Sequence, residues 1–391
     1  MLGWEFPPLS IGGLGTHTYG LAESLSKKSV KIDFYMPKTK KKITEKWLNI
    51  IQIPFSKDWL TKPINKINPY LELRKELNSI NLDVNSITNS KWDLYSRLCA
   101  KALLKKHKKE PYKLIHCQAW FGLKAALLFK KWSKLPIIIT LHTSEYGKYG
   151  KKINKKIIEI EKTCVKQADK IIVVSNLLRK IFLKKYKINP KKIKTIPNGI
   201  SEDFFKKKLK PKRYAKKQVL FVGRLKPYKN IEIILKVAKK VLEEEKDVKF
   251  VVVGNGENIK KYENISKKLK IRENVIFTGH LPYHKLLNIY AGSDVYLLLS
   301  KFDAFGLTAL EAMASGIPVI VSRTTGISEL VKNCIKVDYW NIREITKEIV
   351  NLLKNEKLRI SLGKKAQAEA KKFLWNRIAK EYVKLYREIS S

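Results

Sequence analysis

Two cations stand close together in GRLKPYK, at Arg224 and Lys229, directly after the apolar run QVLFV at 218–222. Positive charge just beyond a strand's carboxyl end lies where open α/β sheets bind ligands. Such a pair suits a diphosphate that must depart, or, in a chain this basic, it is simply solvated surface. FDAFGLTALEAMA at 302–314 places Asp303, a helix-opening Gly306, and Glu311 eight positions after the first acid. Amides at a helix start can hold phosphate. Carboxylates there accept from hydroxyls, and would be costly beside phosphate without intervening cations. GNGE at 254–257 ends another apolar run with a glycine turn. Gly12-Gly13-Leu14-Gly15 precedes a helix candidate at 16–26. It reads either as a phosphate contact or as an ordinary strand-to-helix turn. His142, in TLHTSEYG at 140–147, reads by itself as a hydrogen-bonded histidine at a strand end.

These residues need a scaffold, and the apolar pattern supplies one. Short β-branched runs occur at 135–141 (LPIIITL), 170–175 (KIIVVS), 218–222 (QVLFV), 249–253 (KFVVV), 294–299 (DVYLLL) and 317–321 (IPVIV). Amphipathic helix candidates lie between them, at 231–245, 259–269 and 284–291. Strands alternating with helices predict parallel βαβ units and doubly wound α/β sheets. Continuous rather than alternating apolar runs fit strands covered on both faces. The series runs twice, with a very basic linker at 205–217 between the halves. Segment 38–110, broken by Pro54, Pro63 and Pro69, reads as an insertion carrying a helix near 90–107. The tail at 361–389 reads as helical with a break at 374–376.

Composition narrows the function classes. The chain has 391 residues, 44% hydrophobic and 30% charged, which predicts a two-domain globular protein rather than a disordered or collagenous one. No uncharged run is long enough to span a bilayer, and MLGWEFPP lacks the charged and apolar regions of a secretory signal. The chain begins nearly inside its first strand. Four scattered cysteines, with no CxxC pair, fit a reducing cytoplasm and no zinc site. His280 and His284 are spaced i, i+4, but Pro282 between them argues against a helical metal face. The net charge is +46, and only 11 of the 81 basic residues are arginine. A reader of nucleic acid tends to favour the forked guanidinium, so a nucleic-acid-binding role rests on charge alone. The lysines are either a solvated coat or an attraction to anionic lipid at the inner face of a membrane. Lysines clustered on one face of the first half, with exposed aromatics, would favour lipid; an even spread would not.

The order GGLG, HTSEYG, PNGI, GRLxxxK, GxGE and acid-x7-Glu resembles the retaining GT-B glycosyltransferases of family 4, also called group 1. The opening MLGWEFPPLSIGGLG is similar to glycogen-synthase-like members. The resemblance covers essentially the whole chain, and the collinear set is far more specific than any one motif. It implies two Rossmann-like doubly wound parallel-sheet domains facing a cleft. The expected domains are 1–200, binding the acceptor; 201–365, binding a nucleotide-sugar; and 366–391, a helix crossing back to the first domain. The implied reaction moves a hexosyl group from a nucleotide-diphosphate sugar to a glycan or lipid-linked acceptor, without a metal or other cofactor. Arg224 and Lys229 would hold the leaving diphosphate, and the Gly13–Gly15 backbone would approach its distal phosphate. Leu307 and Thr308, at the helix start, join the donor site. Glu311 would bind ribose hydroxyls, Asp303 the sugar's hydroxyls, and His142 would sit near the donor sugar. Asn198-Gly199 matches a family turn that is also read as structural alone.

Three positions depart from the pattern. The first acid is Asp303 where the family usually has Glu. TTGISE at 324–329 keeps one glycine of a usual pair. HCQAW at 116–120 keeps only His116 and Trp120 of the His-x-His-Asp-Trp found in glycogen synthases. That last departure weighs against an α-1,4-glucan synthase using ADP- or UDP-glucose, which stands as the alternative. A phosphorylase is disfavoured by the lack of a pyridoxal-phosphate lysine motif.

Overall fold

A computed structural model describes residues 1–7, 12–39, 43–54, 91–150, 153–206 and 210–390. The chain forms two compact units. Unit 1 is Met1–Val174, Leu178–Gly199 and Trp375–Ser391; unit 2 is Ser175–Leu177 and Ile200–Leu374.

Unit 1 is built on parallel strands β1 (Asp33–Pro37), β2 (Asn49–Ile53), β3 (Ile115–Gln118), β4 (Ile137–Leu141), β5 (Lys170–Val173) and β6 (Ile193–Thr195). The first strand expected at the N-terminus shrinks to a bridge. Leu2 pairs with Tyr35 on one side and Cys117 on the other, joining β1 to β3. The spatial order is therefore β2-β1-Leu2-β3-β4-β5-β6. β1 and β4 are buried throughout, as expected for parallel strands with helices on both faces. The GGLG helix runs Gly13–Ser26, so Gly13-Leu14-Gly15 occupy its first turn rather than preceding it. The insertion helix runs Lys91–Lys109. Residues 55–90 of that insertion lie outside the described residues.

Unit 2 carries β7 (Lys217–Val222), β8 (Val248–Val253), β9 (Val275–Gly279), β10 (Val295–Leu298), β11 (Val319–Ser322) and β12 (Ile335–Val337), in the order β12-β11-β10-β7-β8-β9. Its core joins β7, β8 and β10 to the helices Ile231–Glu244 and Ile342–Lys354 through Val219, Phe250, Leu297, Leu235 and Ile349. A short 3-10 turn, Glu202–Phe205, ends at the first residue of the expected linker, and residues 207–209 within that linker are outside the described set.

The domain edge expected at 365/366 falls instead at Leu374/Trp375. Residue 366 lies inside the helix Glu356–Ala370, whose Gly363 packs against the Gly316 carbonyl of unit 2. A 3-10 turn, Lys371–Phe373, then separates that helix from Trp375–Ser390. Phe373 carbonyl accepts from Ile200 N at 2.8 Å within unit 2.

Among the described residues no helix is long and apolar enough to cross a membrane. Among them, too, no group of three or more His, Cys, Asp or Glu is placed to hold a metal ion. Pro282 caps the helix Tyr283–Ala291, so His280 lies before that helix and His284 within it.

Candidate active site

Each sheet places consecutive strands on opposite sides of its first strand. Such a reversal leaves a crevice at the strands' carboxyl ends, which is where open α/β sheets take ligands. In unit 2 the crevice lies between β7 and β10, and the loops after those strands carry the charged residues.

The loop after β7 is tied to the loop after β8. Gly223 N donates to Val253 O at 2.9 Å, and Leu225 N donates to Asn255 O at 3.0 Å. Gly254 makes the approach possible: its φ is +131°, and a Cβ there would meet Gly223 O at 2.0 Å. Arg224 is exposed on this loop. Lys229 closes the 3-10 turn Pro227–Lys229, and its Nζ meets Asp303 Oδ2 at 2.5 Å. Both side chains are largely buried.

Asp303 is fixed from three directions. Its other carboxylate oxygen accepts from Phe305 N at 3.2 Å. Its carbonyl accepts from Gly326 N at 2.9 Å, and the segment bridges to Thr325. Gly306, at φ +100°, then opens the helix Leu307–Ala314. Helix starts leave their first amides without intrahelical partners, here those of Leu307 and Thr308. The Thr308 hydroxyl accepts from Tyr296 at 2.6 Å. One turn on, the buried Glu311 accepts from Tyr290 Oη at 2.8 Å. Burial lifts the Glu311 carboxyl to about 7, against the opposing pull of the Tyr290 bond.

Unit 1 holds a second cluster at the carboxyl ends of its strands. Gly13 is exposed and Gly15 buried in the first helical turn, with no side-chain cap at Gly12. His142 follows β4 directly and its Nε2 lies 3.5 Å from Gln118 Oε1, a weak contact. His17 stands edge-on to His142, ring centroids 4.4 Å apart. His17 is fully buried; Nδ1 meets Asn198 Oδ1 at 2.9 Å, while Nε2 has no partner among the described residues. Burial pulls His17 down to about 4, the Asn198 bond opposing it. Burial, then the neighbouring His17 and His116, also pulls His142 well below the usual histidine range. Both rings are therefore neutral at pH 7. His116 bridges Tyr386 Oη at 2.6 Å and Thr140 Oγ1 at 2.7 Å.

Within unit 2, then, Arg224, Lys229, Asp303, Leu307, Thr308 and Glu311 gather at one end of the sheet. Within unit 1, Gly13 and Gly15 lie one turn from His17, which touches His142. Sequence reasoning singled out neither His17 nor Tyr290, and took Asn198 only as part of a turn. The available signal for His17 was its helical spacing, i to i+4 and i+8, with the apolar Leu21 and Leu25.

Residues 11–204 match the family described as Glycosyltransferase Family 4, and residues 201–369 match Glycosyl transferases group 1. An uncharacterized glycosyltransferase of Methanocaldococcus jannaschii is 28% identical over 99% of this chain and 97% of its own length. Sucrose-phosphate synthase from Thermosynechococcus elongatus superposes with a TM-score of 0.77 at 19% identity, covering 99% of this chain and 98% of that one. HepE from Anabaena, solved with UDP and glucose, gives 0.72 at 16% identity, covering 99% of both chains. With parallel-sheet units of matching order and two family matches that together run from 11 to 369, the chain belongs to the group 1, family 4 glycosyltransferases and has their GT-B fold.

Proposed function

We propose that this glycosyltransferase moves a hexosyl group from a nucleoside-diphosphate sugar to a glycan or lipid-linked acceptor, retaining anomeric configuration and using no metal. The observation that carries the reading is the placement of Lys229 beside Asp303 at the β7/β10 crevice, with Arg224 exposed on the same loop. Glycosyl transfer develops positive charge at the anomeric carbon and negative charge on the departing phosphate. Fixed cations aimed at that phosphate lower the barrier without reorganising at the moment of reaction. Arg224 and Lys229 take this role, and the amides of Leu307 and Thr308 add helix-start donors. Asp303 accepts from hydroxyls of the transferred sugar and Glu311 from the ribose. Gly13 and Gly15 open a helix whose free amides suit a phosphate oxygen. His142, neutral and beside β4, offers an uncharged ring nitrogen to a sugar hydroxyl. The departing phosphate takes the acceptor's proton during front-face attack, so no enzymic nucleophile is needed.

HepE, solved with UDP and glucose, supports a uridine donor as the first to try. The test follows nucleotide release from UDP-, ADP- and GDP-sugars, with a chelator present, and reads product configuration by NMR. Release with glycogen and a glucose donor selects the glucan-synthase alternative. Release requiring a lipid-linked or non-glucan acceptor supports the leading reading. An inverted product, or turnover abolished by chelator, overturns the corresponding half of the mechanism.

A further inference from the structure

Because the strands of each unit are parallel, every helix must return the chain to the strands' amino ends. Those returns form one face of each unit, opposite to the ligand-binding ends. In unit 1 the returns are 23–33, 106–115, 130–137, 164–170 and 183–193, each taken from a helix's last turn to the next strand's first residue. They carry 17 lysines, no arginine and four acids. In unit 2 the same construction gives 241–248, 265–275, 288–295, 311–319 and 327–335. These carry six basic residues and seven acids, leaving out Glu311, which lies at the ligand-binding end. A lysine-rich composition would load both faces alike, so it does not account for the contrast.

The four acids on the unit 1 face are all engaged. Glu23 pairs with Lys27 at 2.8 Å and Asp169 with Lys130 at 2.6 Å. Glu110 holds both Lys106 and Lys31, and Asp33 accepts from Asn49 at 2.7 Å. Lys108, Lys109, Lys113, Lys131, Lys134, Lys184 and Lys185 remain exposed. Trp132 lies among them, three-quarters exposed, on the return that enters β4 near the middle of the sheet. Its helix, Leu123–Ser133, is closed by Lys134 N donating to Lys130 O at 3.0 Å. One turn earlier Phe129 packs on His107 at 5.4 Å. That contact sets the ends of the two helices side by side, and Lys108 and Lys109 follow His107 as Trp132 follows Phe129.

We propose that this face of unit 1 docks on an anionic phospholipid surface, with Trp132 at the interface and the lysines over lipid phosphates. Tryptophan favours the headgroup level, and clustered lysines are drawn to anionic leaflets. The five returns themselves carry no arginine for bidentate reading of nucleic acid, although Arg179 reaches the Pro190 carbonyl from the preceding helix. The face is also the end away from Gly13 and His142, so docking leaves the candidate site open. The inference does not depend on the identity of donor or acceptor.

Flotation of the full chain with phosphatidylglycerol-containing vesicles tests it, against vesicles of phosphatidylcholine alone. The expected result is binding only to the anionic vesicles, weakened by salt. Reversing Lys108, Lys109, Lys131 and Lys134 to Glu should weaken binding ~100-fold or more, at roughly fivefold per lysine. A control with Lys246, Lys267, Lys268 and Lys270 reversed to Glu changes net charge equally and should bind nearly as the parent does. Trp132→Ser, a single exposed change, should lower binding several-fold and keeps the test valid if the fourfold variant melts early. Failure of the parent to bind, or equal loss in the unit 2 control, overturns the proposal. So does duplex DNA binding of equal strength that the same four lysines carry and Trp132→Ser leaves unchanged, since that identifies a general polyanion surface.

Discussion

Lys229 is already held by Asp303 at 2.5 Å, so a diphosphate reaching Lys229 must compete with that carboxylate. The two residues should therefore separate in mutation. Arg224→Ala and Lys229→Ala each remove a cation from the departing phosphate and should lower turnover by about 10²–10³-fold, the usual cost of one preorganised transition-state contact. Asp303→Asn should also lower turnover, yet tighten binding of the free nucleoside diphosphate by releasing Lys229. Calorimetric titration with UDP, beside steady-state rates, reads both; weaker binding in Asp303→Asn would show that the pair positions Lys229 rather than competing for it. Glu311 gives a pH prediction. Its carboxyl is raised from 4.5 to about 7 by burial. The folded chain therefore keeps a proton that the unfolded chain loses between those values. Stability contributed by this group is full below pH 4.5, falls as pH rises to about 7, and stays low above it. The span corresponds to about 3 kcal/mol. Glu311→Gln should match the parent in urea unfolding near pH 4 and exceed it at pH 8 by up to that amount. A variant less stable at pH 8 would mean that the ionised carboxylate is well satisfied where it sits.

Elements show how a distant side chain shapes the site. Gly20 lies mid-helix in Gly13–Ser26, where alanine would ordinarily stabilise by about 1 kcal/mol. A Cβ there would meet Trp375 Nε1 at 2.1 Å, and one at Gly199 would meet the same ring at 2.3 Å. The two glycines make room for the first residue of the last helix, beside His17 and Asn198. Gly20→Ala should therefore destabilise by about 1–3 kcal/mol, the usual cost of overpacking. Adding Trp375→Phe should recover part of the loss, a coupling read by a double-mutant cycle in urea. A stabilised Gly20→Ala would mean that the helices part without cost. The same elements mark what the sequence discloses. The runs at 170–175 and 218–222 announce strands because both faces are covered. Arg224, Lys229, Asp303 and Glu311 are legible because each pair sits in one short stretch of sequence, the first on the loop after β7 and the second around the start of the helix Leu307–Ala314. His17 is not, since its partner Asn198 is 181 positions away and only the folded unit joins them. Likewise β2, NIIQI, escaped notice because its pattern is half-exposed and short. The strand at Leu2 is a single residue, too brief for any periodicity to register.

At the scale of the whole molecule, the chain leaves unit 1 at Gly199 and returns to it at Trp375, so unit 1 is incomplete until the last helix is made. That helix buries Trp375, Ile378, Ala379, Tyr382, Leu385 and Tyr386 with Leu21, Leu25, Ile138, Ile172 and Ile196. It also supplies Tyr386 to the buried His116. Burying one large apolar side chain is worth about 1.5–3 kcal/mol. Five such side chains together approach or exceed the roughly 5–15 kcal/mol by which a domain is stable. The unit 2 core contains none of these residues. Ending the chain after Leu374 should therefore unfold unit 1 and spare unit 2. Hydrogen exchange is the measurement: amides of Gly13–Ser26 and of β3 to β6 should lose protection, while those of β7, β8 and β10 keep it. Loss spread evenly over both units would mean that they unfold as one cooperative body. Intact protection in β3 to β6 would mean that the first 199 residues fold without their final helix, and that its aromatic face serves the histidine cluster rather than the core.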